Sequence, residues 1–264
     1  MSDPYIANVS LLLHLDGSLT DTSSYAHAVS TTGSAALTSS DSKFGSGSLT
    51  GSHAVNSFIS VPIVSSAEMD ITTGDFTLEF WMKYTGVVAY ILDTSNASAL
   101  GGMFMSCNAG GIVRAFIDDG SGVFNTTVPG ITLTLNVWGH VALVKSGANI
   151  QLYGDGVGGG PTLYPAAVVG TLFRLGGVGS AIGGQGLGGF IDEIRLTKGV
   201  ARYTSNFTPP AAPFDDYVAG SFGGTVYGKL APGLVYPPIV SANLGDAHPR
   251  VWQPYENLTV KVPK

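Results

Sequence analysis

The chain has 264 residues, a formal net charge of −6 and only 11% charged residues, against 44% hydrophobic ones. The usual charged share of a soluble domain is roughly 25%, and no basic cluster is present to neutralise phosphates, so a nucleic-acid partner is not expected. No apolar run approaches the roughly 18 residues of a membrane helix, and Met1-Ser2-Asp3-Pro4 carries neither a basic region nor an apolar one, so neither a membrane partner nor a secretory signal is expected. Cys107 is the only cysteine, which rules out an internal disulfide and a thiolate zinc site. A chain of this length can nevertheless bury a core large enough to hold it together.

Short β-branched and aromatic runs, separated by Gly, Ser, Asn and Asp, recur along the chain with no sustained helical stripe. The predicted strands begin at 9–15, 28–31, 35–38, 48–50, 58–62 and 76–84. They continue at 87–93, 102–107, 112–118, 123–127, 137–145, 149–153, 172–176 and 190–196. Many strands at this spacing predict an all-β jelly roll or sandwich. In the strand from Phe76, alternation points Phe76, Leu78, Phe80 and Met82 into the core, and Thr77, Glu79, Trp81 and Lys83 to the outer face. The run Val137 to Lys145 is apolar on both faces and reads as a central strand, with Trp138 and His140 as packing residues. Ile191 and Ile194 are three apart, so both face the core only if a β-bulge falls near Asp192-Glu193.

The glycines of 154–160 and 176–189 open no helix after a strand, so they read as hairpin and loop residues rather than a phosphate cradle. After Tyr217 the texture changes. Prolines 232, 237, 238, 249, 254 and 263 interrupt every candidate strand, while Phe222, Tyr227, Tyr236, Trp252 and Tyr255 keep the segment apolar. Residues 218–264 therefore read as an extended arm following a sandwich over 1–217. Those five aromatics are its candidate subunit-docking residues; the alternative is that the arm lies back on its own sandwich.

The stretch FIDEIRLTKGVARYTSNFTPPAAPF, from Phe190 to Phe214, closely resembles the closing signature of laminin-G-like, concanavalin-A-like jelly rolls of phage and prophage virion proteins. Further blocks match in order: NVSLLLHLDGS from Asn8, DTSSYAHAV from Asp21, SKFGSGSL from Ser42, FISVP from Phe58, GDFTLEFWMK from Gly74 and WGHVALVK from Trp138. IQLYGDGVGGG from Ile150 is a weaker match, with extra glycines. The resemblance implies a jelly roll whose opening and closing strands pair. It also implies a virion localisation and other virion subunits as partners in a homo-oligomer or high-copy array. Several laminin-G-like relatives carry calcium between loops, and Asp16, Asp21 and Asp192 lie in the matching blocks, so they are the calcium candidates; Asp16 and Asp21 also suit turns.

Enzymatic chemistry is not expected. A retaining glucanase needs two carboxylates about 5 Å apart, and no E-x-D-x-E run supplies them. No His-x-x-x-His or G-x-S-x-G motif is present. Glycan recognition needs aromatic faces beside polar hydrogen bonders, and Trp81 with Glu79 and Lys83 fits that description, extended by Tyr90 and Tyr153 if their strands lie alongside. The competing reading makes Trp81 a residue covered by a loop or by the arm. The sequence thus points to a non-enzymatic virion protein displaying a lectin-like sandwich for host-surface glycans, with a decoration or cement protein as the alternative.

Overall fold

The structure is a computed structural model, and it describes residues 3–54, 56–63, 68–94, 102–119, 121, 123–165, 172–178 and 186–217. The chain divides into a compact unit, Met1–Ala219, and Gly220–Lys264. The second unit, with Phe222, Tyr227, Tyr236, Trp252 and Tyr255, lies outside the described residues.

The compact unit is a sandwich of two antiparallel sheets. The strands are β1 (Val9–Leu13), β2 (Ser30–Thr32), β3 (Ala36–Thr38), β4 (Ser48–Ser52), β5 (Phe58–Pro62), β6 (Phe76–Tyr84), β7 (Ala89–Asp93) and β8 (Gly102–Cys107). They continue as β9 (Ile112–Asp118), β10 (Thr126–Thr132), β11 (Trp138–Ser146), β12 (Asn149–Gly154), β13 (Val157–Gly158), β14 (Thr162–Leu163), β15 (Leu172–Leu175) and β16 (Gly188–Lys198). The first sheet runs β13-β12-β11-β6-β16-β4-β3, with β1 also on β16 and β14 also on β12; the second runs β10-β9-β8-β7-β15-β5-β2. No helix among the described residues is long and apolar enough to cross a membrane.

Alternation builds the core. Phe76, Leu78, Phe80 and Met82 of β6 meet Met103, Met105, Val113, Ala115 and Ile117 of the other sheet in one apolar cluster. β11 is central, between β6 and β12, as its two apolar faces require. Cys107 is buried in the same cluster, where burial pushes its thiol up to about 12. β1 pairs with β16, so the opening and closing blocks are neighbours.

The bulge falls where parity demands it. Asp192 pairs with Trp81 and Arg195 with Glu79, so two residues of β6 span three steps of β16. Glu193 takes the left-handed conformation, φ 52°, and Ile191 and Ile194 both reach the core. One expectation needed correction: the strand read as 123–127 is β10, Thr126–Thr132, and it runs through Pro129. It can do so because β10 is at a sheet edge, where a missing N–H breaks no ladder. The register shift between Val128 and Ile131 absorbs Pro129 and Gly130.

Candidate functional site

The outer face of the first sheet is largely closed by its own chain. Asp16 and Asp192 grip the loop 43–47 from two sides: Asp16 Oδ1 accepts the Gly47 N–H (3.0 Å) and the Ser46 N–H, and Asp192 Oδ2 accepts the N–H groups of Lys43 (2.7 Å) and Phe44 (3.1 Å). The gripped loop caps Trp81. The Lys43 ammonium lies 3.9 Å from its ring centre and Phe44 meets it edge-on, leaving Trp81 only 5% exposed. Burial raises the Asp192 carboxyl to about 6 despite the donated Phe44 and Lys43 bonds.

Beside Trp81, Glu79 is fully buried at the centre of an ionic cluster. Its Oε1 accepts Arg195 Nε (3.0 Å) and Nη2 (2.9 Å), its Oε2 accepts the Tyr203 hydroxyl (2.8 Å), and His140 Nε2 is 3.2 Å away. Asp3 completes the cluster by binding Arg195 (2.9 Å) and Arg202 (2.8 Å). Burial alone would raise the Glu79 carboxyl, but Arg195, His140 and Arg202 hold it down to about 2. The closing signature is therefore an ionic staple: Arg195, Arg202 and Tyr203 fasten the segment after β16 across the sheet. Tyr203 and Phe207 stack with centres 3.5 Å apart, and Phe207 covers Tyr153, which is 2% exposed.

A second fastening lies at the bulge. His14 Nδ1 meets Glu193 Oε1 at 2.8 Å, His14 Nε2 meets Asp216 Oδ1 at 2.9 Å, and Glu193 Oε2 accepts the Phe214 N–H at 2.9 Å. The Glu193 hydrogen bond, acting against burial, raises His14 to about 9. A raised histidine contributes stability that is complete below its unfolded value of 6.5 and lost as pH rises through about 9. Melting temperature is expected to fall between these values, and His14→Gln should flatten that decline.

These contacts correct the predicted platform. Trp81 and Glu79 are buried beneath the chain itself. Lys83 is engaged by Asp41 at 2.6 Å, and Tyr90 sits on β7 of the opposite sheet. Only Tyr153 borders an open recess. The calcium candidates are corrected as well. Asp21 accepts the N–H groups of Leu12 (2.9 Å), Ser23 (3.0 Å) and His27 (2.8 Å), so each of the three aspartates accepts backbone N–H groups. Among the described residues no group of three or more His, Cys, Asp or Glu side chains could hold a metal ion.

Among the described residues, a cleft of about 240 Å³ lies open on this face at the edge of the covering segment. Alternation along β12 puts Asn149, Gln151 and Tyr153 on the outer face while Ile150 and Leu152 enter the core. Val144 and Ser146 of β11 continue the floor, and Pro161 with Tyr203 and Thr204 forms the rim. The lining therefore combines two tyrosines with amides and hydroxyls, and none of the described lining residues is charged. The N-I-Q-L-Y alternation was legible in the sequence. The part played by Tyr203 and Thr204 was not, because their place depends on how the segment after β16 folds back.

Residues 56–202, more than half of the chain, match the family described as Concanavalin A-like lectin/glucanases superfamily. No curated protein sequence matches the chain. Among solved structures, the chain is similar to the binding domain of Paraclostridial Mosquitocidal Protein 1, at TM-score 0.55 and 13% identity over 74% of this chain and 49% of that one. It is similar to botulinum neurotoxin type C, which interacts with two ganglioside molecules, at TM-score 0.55 and 12% identity over 73% and 48%. The binding domain of botulinum neurotoxin DC, solved with rat synaptotagmin II, gives TM-score 0.54 and 13% identity over 73% and 48%. The chain thus spans about half the length of the solved structures it matches, and at these identities the likeness is one of fold. The two-sheet sandwich and the family match agree: the chain belongs to the Concanavalin A-like lectin/glucanases superfamily.

Proposed function

We propose that this protein is a non-enzymatic carbohydrate-binding module of a phage virion, and that its ligand is an uncharged sugar unit held in the Tyr153–Tyr203 cleft. The observation that carries the reading is the cleft lining: Asn149 and Gln151 amides with Ser146 and Thr204 hydroxyls along the edges of Tyr153 and Tyr203, a set of neutral hydrogen bonders that matches the hydroxyls of a pyranose. Pockets for drug-sized ligands run roughly 300–1,000 Å³, so a cleft of about 240 Å³ suits one sugar ring better than a long chain. Glu79 and Asp3 are neutralised by arginines, and Asp192 is committed to the N–H groups of Lys43 and Phe44, which supports binding over hydrolysis. The neighbours are toxin binding domains, one of them from a ganglioside-binding toxin, which is consistent with a recognition role. The virion setting rests on the closing signature, and weak single-site binding would be multiplied there by copy number.

Titration of the intact protein with neutral mono- and disaccharides, followed by amide chemical shifts, tests the reading. Shifts are expected at 149–151 and 203–204, with about tenfold weaker binding in Gln151→Ala, the loss of one hydrogen bond. No binding at millimolar sugar, or a silent Gln151→Ala, would overturn it and favour the decoration role instead.

A further inference from the structure

The outer face of the second sheet carries a feature that the cleft does not explain. Core-facing Ala89, Ile91, Met103, Met105, Ala115 and Ile117 leave Tyr90, Phe104 and Phe116 on the opposite side. These three half-buried rings form a row across β7, β8 and β9. Phe104 and Phe116 stack with centres 4.6 Å apart and planes 12° apart, Tyr90 stacks on Phe104 at 6.4 Å, and Phe124 meets Phe104 edge-on at 4.6 Å. Rings that stack on one another spend their faces internally. They are poor sugar platforms, which need a free face, but a good apolar ridge for a flat protein surface.

The charges beside the ridge choose the partner. Arg174, Arg195 and Arg202 are each tied to a carboxylate, whereas Arg114 is exposed, with no carboxylate partner among the described residues. Arg114 shares the outer face of β9 with Phe116. Asp119, also exposed, follows the same strand at the other end. Phe116 thus sits two residues after a cation and three residues before an anion that lies just past the end of the strand. A two-fold axis near Phe116 would lay β9 antiparallel over a second β9, ridge on ridge, and bring Arg114 of each copy to Asp119 of the other.

We infer that this face binds a second copy of the same chain in an isologous dimer, with Tyr90, Phe104 and Phe116 at its centre and two reciprocal Arg114–Asp119 pairs at its margins. This pattern fits its own rotated image. A purely acidic or purely basic partner would leave one of the two charges opposed by its like.

Light scattering on the full chain, across a concentration series, tests the pairing. The expected mass is twice the 27.1 kDa of one chain. Arg114→Asp and Asp119→Arg should each give the single-chain mass, and the double substitution should restore the doubled mass by exchanging the pairs. Arg114→Gln serves as a second variant should a charge reversal misfold, with an unchanged melting curve as the control. A wild-type chain at single mass throughout, single variants that stay doubled, or a double variant that stays single would each overturn the inference.

Discussion

Arg195→Ala is expected to lower stability by about 3–5 kcal/mol, the usual result of removing one partner from a buried ion pair. In a sandwich of this size that corresponds to a melting temperature lower by about 10 °C. The reason lies in what the guanidinium touches: two bonds to Glu79, one to Asp3, and the ring of Phe214 at 3.8 Å from its central carbon. Without it Glu79 keeps only Tyr203, His140 and the more distant Arg202, 3.7 Å away, in a site that no water reaches. Substituting Arg195 and Glu79 together by methionine should cost far less, since no charge is then stranded. Thermal melting of the three variants checks this, and a loss below about 1 kcal/mol for Arg195→Ala would show that the cluster is not what fastens the segment. Acid should act on the same cluster progressively, from about pH 4.5 down to about pH 2. The depressed Glu79 carboxyl gives stability that is present above its ordinary value of 4.5 and lost as pH falls through about 2.

Gly156→Ala should be nearly as damaging, at about 3 kcal/mol from a left-handed residue plus overpacking. Gly156 has φ +80°, and a methyl group added there would lie 1.8 Å from the Phe207 carbonyl oxygen. The Phe207 N–H donates to the Gly156 carbonyl at 3.0 Å, and the Gly158 N–H to the Asn206 side-chain Oδ1 at 3.1 Å, so one main-chain bond and one side-chain bond join the hairpin to the covering segment. Forcing them apart would loosen Tyr203 and Thr204 at the cleft rim as well. Urea denaturation should therefore report the lost stability, and sugar titration a weaker cleft. Full stability in this variant would mean that the segment accommodates the methyl group without strain.

How much was legible in the sequence can be judged from particular residues. Period-two alternation from Phe76 to Lys83 assigned each side chain to its face, and the spacing of Ile191 and Ile194 demanded the bulge at Glu193, because both effects depend only on local backbone geometry. The same alternation said which side of the sheet Trp81 and Glu79 occupy, but not what lies over it. Their burial is decided by Phe44, Arg195 and Tyr203, residues distant in sequence that arrive through loop closure. Asp16, Asp21 and Asp192 misled for a related reason. An aspartate that caps a loop and one that ligates calcium look alike in a sequence, and only the direction of the N–H donors separates them. The cleft was half visible, in the outward residues of β12 but not in its rim.

Pro129 and Gly130 have a consequence for crowding. A sandwich packed at high density against copies of itself risks zipping into continuous ribbons through the exposed margins of its sheets. Here one margin is kinked and lacks a donor at Pro129, while β2 and β3 offer only three residues each. A neighbour that approaches face to face therefore finds little free edge on β2, β3 or β10 to template a fibril.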